Sequence, residues 1–347
     1  MKQSHNVAGP TNEVAITFEN VVKRYGETTA VDGLSFSIRQ GELVTFLGPS
    51  GCGKTTSLRL IAGLELPTTG RLLIAGRDVS RDPASERNVG MVFQSYALFP
   101  HINVLENVAY GPVIRGLKKR EAREKARVIL DQIGLGGLHE RLPSELSGGQ
   151  QQRVAVARAI VLQPDVILFD EPLSNVDAKL RRRVRSEIRE LQQKFGLTAV
   201  YVTHDQEEAL AVSDRIVVMD RGRIVQVGTP EDLYERPASV FIASFIGDAN
   251  LITGALRAGQ FEGPGFKLGV SGADGRTTLS IRPERIALTA GGTARIESAT
   301  YLGSRMEYAV RSGNTTLLVS RPIDEPRFAP GDPVGIAVDP SGITRLD

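Results

Sequence analysis

Cysteine is almost absent from these 347 residues: Cys52 stands alone, which excludes an internal disulfide and a cysteine metal cluster. Histidines number four, and no close-spaced set of His, Asp and Glu reads as a metal site built by protein alone. Nor does any stretch reach the roughly 18 uninterrupted apolar residues that a helical membrane span requires. The first residues, Met1 to Thr11, lack the apolar core of a signal peptide, so the chain is expected to stay on the cytosolic side. The formal net charge is only +2, which names no polyanionic or polycationic partner. What remains is ordinary: 41% hydrophobic and 24% charged residues, in a length that suggests about two domains, each able to bury a core.

Against that background one stretch is chemically explicit. Gly48-Pro49-Ser50-Gly51-Cys52-Gly53-Lys54-Thr55 lies between an apolar strand-like run, Leu43 to Leu47, and a helix-like segment opening at Thr56. This is G-x-x-x-x-G-K-[ST] in the context of strand, loop and helix. The glycines let successive backbone N–H groups turn inward, and the following helix adds about half a positive charge at its N-terminus, so the loop suits a polyphosphate. Lys54 is expected to pair with the phosphates and Thr55 to give its hydroxyl to Mg²⁺. The same positive surroundings lead us to expect a lowered thiol pKa at Cys52.

Along the rest of the chain, residues 1–13 read as a disordered polar lead. Val14 to Val22 and Leu34 to Ile38 alternate as a half-buried antiparallel pair. Tyr25 between them is either a turn residue or a stacking platform for a base. Gln94 ends a short strand, and a helical region is expected from Val104 to Ile133. Leu146-Ser147-Gly148-Gly149-Gln150 precedes a helix and offers a second anion-binding N-terminus. Val166 to Phe169 is a continuous apolar run, expected of a parallel strand covered on both faces, and it ends in Asp170-Glu171, where open α/β sheets place ligands. Asp170 can hold Mg²⁺ through water, and Glu171 can reach an attacking water. A further buried strand, Thr198 to Val202, ends at His204. The Arg181 to Arg183 cluster reads as surface. Beyond Pro237 short alternating segments, Thr278 to Leu288 and Ala294 to Tyr301 among them, argue a separate small β barrel or sandwich.

In this order the motifs resemble one family, the ATP-binding subunits of ABC transporters, of the importer type with an added C-terminal domain. Gly48 to Thr55 resembles Walker A, Gln94 the Q-loop, Leu146 to Gln150 the signature motif, Val166 to Glu171 Walker B, Ser174 to Asp177 the D-loop, and His204 the switch histidine. The resemblance implies an α/β P-loop NTPase domain over 14–237, with a helical subdomain at about 95–160. After it comes a small all-β OB-like barrel over 238–347, with a regulatory or dimerising role. It implies ATP and Mg²⁺ as cofactors and Tyr25 as adenine platform. Catalysis would fall to Glu171, His204 and Gln94, nucleotide binding to Gly48 through Thr56, and Mg²⁺ binding to Thr55, Gln94 and Asp170. It also implies a homodimer in which Ser147, Gly148, Gly149 and Gln150 act across the interface with Asp177. Two membrane permease subunits would dock near Tyr96, Phe99 and Pro100, a solute-binding protein would take part indirectly, and the subunit would lie peripherally on the cytoplasmic face of a bacterial inner membrane. Ile281 to Glu284, Tyr301 to Ser304 and Phe245 to Asn250 are most similar to the polyamine, ferric iron and phosphonate group. On these the first expectation is polyamine import, with ferric iron, phosphonate, sulfate or sugar as alternatives. A soluble ATPase acting on nucleic acid or a protein partner is the non-transport alternative. The nucleic-acid version is disfavoured because residues 238–347 hold as many acidic as basic side chains.

Overall fold

The computed structural model describes residues 13–173, 178–263 and 266–346. The expected disordered lead, apart from Glu13, and the Ser174 to Asp177 segment lie outside these residues. The chain divides into two compact units between Pro230 and Glu231, a little before the Pro237 expected from sequence.

In the first unit, β1 (Val14–Tyr25) and β2 (Thr28–Arg39) pair antiparallel as their alternation predicts. With β4 (Thr69–Ile74) and the two-residue β5 (Arg77–Asp78) they form a sheet in the order β2-β1-β4-β5. A second sheet runs β10-β9-β3-β8-β7-β6, from β3 (Leu43–Leu47), β6 (Val89–Val92), β7 (Val166–Asp170), β8 (Ala199–Val202), β9 (Arg215–Asp220) and β10 (Arg223–Gly228). All pairings in it are parallel except the β9–β10 hairpin.

The central strands are apolar on both faces, and the packing shows why. On β7, Val166 and Leu168 join a core with Leu58 and Ile61 of α1 (Lys54–Ala62) and with Ile16 and Phe18 of the antiparallel sheet. Ile167 and Phe169, one residue out of phase, join a second core with Val154 of α4 (Gly148–Ile160) and Ile188 of α5 (Ala178–Phe195). Side chains of period two thus feed two hydrophobic layers from one strand, as a doubly covered parallel sheet demands.

The single helical region expected from Val104 to Ile133 is two helices, α2 (Val104–Ile114) and α3 (Lys119–Gln132). Gly116, at φ 91°, breaks the run in a conformation that residues with a Cβ rarely adopt. A short α6 (Gln206–Val212) follows β8, capped by Asp205, whose side chain accepts from the Glu208 N–H. No helix among the described residues is long and apolar enough to cross a membrane.

The boundary falls at the first residue of the short helix α7 (Pro230–Glu235), and the second unit continues with a second short helix, α8 (Val240–Phe245). One antiparallel sheet joins β11 (Asn250–Arg257), β12 (Gln260–Gly263), β13 (Phe266–Gly269), β14 (Gly275–Ile281) and β19 (Ile343–Leu346) in the order β13-β12-β11-β14-β19. The other joins β15 (Ile286–Tyr301), β16 (Arg305–Ser312), β17 (Thr315–Pro322) and β18 (Pro333–Val338) as β17-β16-β15-β18. Ile252, Phe261, Ile281, Ile296, Tyr308 and Val319 fill the core they share.

The segment expected from Thr278 to Leu288 divides between β14 and β15, and β15 runs on through Gly291-Gly292 to Tyr301 with a register shift between Ala290 and Ala294. A Cβ on Gly292 would lie 2.6 Å from the Val334 carbonyl oxygen, so glycine lets the bulge close on β18. Buried Asn250 bridges the sheets, donating to the Ile281 and Leu318 carbonyls and accepting from the Leu318 N–H. Buried Arg282 donates to the carbonyls of Tyr234, Ala243, Ile246 and Gly247, tying both short helices to the strands.

Candidate functional site

The parallel sheet delivers the predicted residues to one edge. β3 runs into the Gly48–Gly53 loop, β6 ends before Gln94, β7 ends in Asp170-Glu171, and β8 ends before Thr203-His204. All are carboxyl ends of neighbouring parallel strands, the place where such sheets bind ligands.

The loop has no room for a side chain at its first and last glycines. A Cβ on Gly48 would meet the Met219 carbonyl oxygen at 2.2 Å, and one on Gly53, at φ 104°, the Ala30 carbonyl oxygen at 2.5 Å. Gly53 opens α1, whose first turn carries no acidic residue, so the positive helix end is not neutralised locally. Lys54 is buried, its Nζ donating to the Gly48 and Pro49 carbonyls at 2.7 and 2.9 Å. An ammonium fixed inside a glycine-rich loop, at a helix N-terminus, fits a polyphosphate. Ser50 and Gly51 are exposed at the loop tip, and Pro49, Thr55 and Thr56 are half-buried.

Cys52 departs from the sequence expectation. Its thiol is buried, and burial pushes its pKa up, outweighing the lowering effect of Lys54, whose Nζ lies 3.8 Å from Sγ. The residue packs in the core with Phe46 and Met219 as a small hydrophobe rather than standing as a thiolate.

At the end of β7, burial first and the neighbouring Glu171 second push the Asp170 pKa up, with Arg59 opposing. Two adjacent carboxylates in a partly desolvated edge suit a cation. Glu171 takes a left-handed backbone at φ 44°, its N–H still bonded to the Val202 carbonyl at 3.1 Å. A non-glycine residue held there costs about 1–3 kcal/mol. The Glu171 carboxylate meets His204, whose Nδ1 lies 3.5 Å from Glu171 Oε2. The structure therefore brings Glu171 and His204 together, around a small cavity of about 40 Å³ also lined by Arg181, Thr203, Asp205 and Glu208.

None of these last four was expected from sequence to be a site residue. Glu208 is buried, accepting from the Thr203 hydroxyl at 2.7 Å and the Tyr201 hydroxyl at 3.2 Å, and burial pushes its pKa up. Arg181, read from sequence as surface, faces Asp205 at 3.4 Å and Glu208 at 3.8 Å. No local pattern signals this, because the partners come from another helix; Arg185, one turn further along α5, likewise donates to the Glu207 carbonyl of α6.

Other predicted residues stand apart. Gln94 is exposed at the end of β6, and no hydrogen bond joins it to Thr55, Asp170 or Glu171 among the described residues. Tyr25 is exposed at the end of β1, with the Lys23 ammonium 4.9 Å from its ring centroid and Lys23 paired to Glu65 at 2.8 Å. Ser147 caps α4 in a reciprocal capping box with Gln150, Ser147 N donating to Gln150 Oε1 at 2.9 Å. With Gly149 and Gln150 it lines a separate hollow of about 130 Å³ that includes none of the loop, Asp170, Glu171 or His204. Gly148 is the first residue of α4. Asp177 lies outside the described residues.

Known proteins share this organisation. Residues 31–174 match the family model described as ABC transporter, and residues 279–346 that of the TOBE domain. An Fe(3+) ions import ATP-binding protein of Rhizobium etli is 54% identical over 346 residues, covering 96% of this chain and 98% of its own. The protein of the same description from Agrobacterium fabrum is 56% identical over 319 residues, covering 88% and 90%. Among solved structures, cbiO1 from Clostridium perfringens, part of an ABC transporter complex, is 28% identical with TM-score 0.60 over 65% of this chain and 92% of that one. A dimeric post-hydrolysis ATP-binding cassette bound to ADP and Pi is 32% identical with TM-score 0.54 over 62% of this chain and 98% of that one.

Proposed function

The chain belongs to the ATP-binding subunits of ABC transporters and is an ATPase coupled to import; from that premise we propose that ferric iron is the solute whose uptake it energises. The observation that carries this reading is near full-length identity above one half to relatives described as Fe(3+) importers, a likeness that includes the C-terminal unit. It favours the ferric iron alternative over the polyamine expectation.

The site supports a division of roles. Lys54 and the amides from Gly48 to Thr56 bind the phosphates of ATP, and Tyr25 takes the base. Thr55, Asp170 and Gln94 are the residues that would hold Mg²⁺, a hard cation suited to their oxygen donors, and the ion would supply neutralisation of the charge developing on the phosphates. Glu171 accepts the proton of the attacking water, and His204, 3.5 Å away, orients that water and the terminal phosphate.

The signature hollow and the Glu171–His204 cavity are separate in one chain. That separation favours a homodimer in which Ser147 to Gln150 of one protomer complete the site of the other, with Asp177 working across the interface. Two membrane permease subunits and, through them, a solute-binding protein complete the assembly, with this subunit at the cytoplasmic face. In the reconstituted complex, iron-loaded binding protein should stimulate ATP hydrolysis several-fold while spermidine does not; stimulation by spermidine alone would reverse the assignment.

A further inference from the structure

Arg158 lies near the far end of α4 from Ser147, eleven residues on and therefore about 16 Å along the helix axis. Its guanidinium donates to the Ala97 carbonyl at 2.7 Å and the Tyr96 carbonyl at 3.2 Å, and it stacks 5.6 Å from the Phe99 ring centroid. It makes no ion pair with a carboxylate among the described residues. A partly buried guanidinium spent wholly on two loop carbonyls and an aromatic face serves as a clamp on the loop, and its planar fork suits it to that use.

The loop it holds is itself unusual. Tyr96 and Ala97 are consecutive non-glycine residues at φ 59° and 48°, a left-handed pair that persists only where surroundings impose it. A second clamp comes from α2: buried Asn107 donates to the Phe99, Ile102 and Asn103 carbonyls and accepts from the Phe99 N–H. Phe99 in turn packs at 4.6 Å on Tyr110, which is exposed on α2 near Val113 and Ile114. Between Gln150 and Ile160 the helix contains no glycine or proline, so it moves as a stiff rod.

We propose that Arg158 is a positioning residue that ties the signature end of α4 to the Tyr96–Phe99 segment, so that displacement of α4 on nucleotide clamping reaches the surface facing the permease. The proposal rests on the reading of that segment as permease-facing, and its test separates the two. Hydrogen exchange over residues 94–103 is measured with and without a non-hydrolysable ATP analogue in full-length native, R158Q and R158K proteins. Transport per ATP hydrolysed is then measured in the reconstituted complex.

In the native chain the analogue should change exchange across 94–103. R158Q should bind the analogue with native affinity yet lose that change, and transport per ATP should fall by about 2- to 30-fold, the range expected of residues that carry coupling. R158K, which keeps the charge without the fork, should fall between and decides the matter should R158Q fold poorly. Mere loss of folded protein would lower transport and hydrolysis together and leave their ratio fixed. A native exchange response in either variant overturns the role of Arg158. A lost response in a variant that still binds the analogue with native affinity, at an unchanged ratio, supports the tie and overturns the permease-facing reading instead.

Discussion

Replacing Gly53 by alanine tests whether the loop geometry, and not merely its composition, makes the phosphate site. At φ 104° the backbone sits outside the regions open to residues with a Cβ, a strain of about 1–3 kcal/mol. The added methyl would also stand 2.5 Å from the Ala30 carbonyl oxygen, a backbone atom of β2 that cannot rotate away. Restoring ordinary contact requires the loop or β2 to shift by close to an ångström, an overpacking cost of about 1–3 kcal/mol. Together these give about 2–6 kcal/mol, and for a unit of this size roughly 5–20 °C in melting temperature. Because Gly53 opens α1, the shift also carries the helix N-terminus and its amides away from the loop, so ATP affinity should fall by at least about tenfold. Thermal melting and nucleotide titration of Gly53→Ala check both. A variant melting within about 2 °C of native and binding ATP normally would show that the loop is soft and refute the packing argument.

Glu171→Gln should keep ATP binding and slow hydrolysis by roughly 10²–10⁴-fold, accumulating an ATP-bound dimer, because the amide cannot accept the water's proton; near-native turnover in a single-turnover assay would remove Glu171 from that role. Lys54→Ala should weaken nucleotide binding itself, read by equilibrium titration, since it deletes the buried charge of the loop. Cys52 should alkylate more slowly than a free thiol at pH 7.5, and its rate should keep rising with pH beyond the ordinary thiol range, since burial raises its pKa and leaves less thiolate at any given pH. Labelling at the free-thiol rate would contradict the burial.

What was legible in the sequence was whatever depends on local pattern. The Gly48 to Thr55 loop, the continuous run of β7 and the alternation of β1 and β2 each follow from spacing alone, and each forms as spacing requires. What was not legible depends on partners distant in sequence. Cys52 shows the difference: Lys54 two residues on argued for a thiolate, but Phe46 and Met219, from two other strands, bury the sulfur and reverse the sign. Arg181 is the converse, a charge in an Arg-rich helix that reads as solvated until β8 and α6 bring Asp205 and Glu208 against it. The split of the helical region at Gly116 was readable, since a glycine amid helix formers is itself a signal.

The same reasoning explains why the polyamine expectation rested on weak ground. Its residues were Ile281 to Glu284, Tyr301 to Ser304 and Phe245 to Asn250, and the structure commits three of them within the fold. Arg282 is spent on four backbone carbonyls, Glu284 accepts the Tyr234 hydroxyl at 2.8 Å, and Asn250 bridges two sheets. Side chains committed in this way are constrained by the folding of the C-terminal unit, whose core would demand them whichever solute the transporter carried. They identify the architecture rather than the cargo. Solute identity must then be set by the proteins that meet the solute, and in this chain it can be traced only through overall relatedness, which is why identity across the full length shifts the proposal to ferric iron while the motif residues could not.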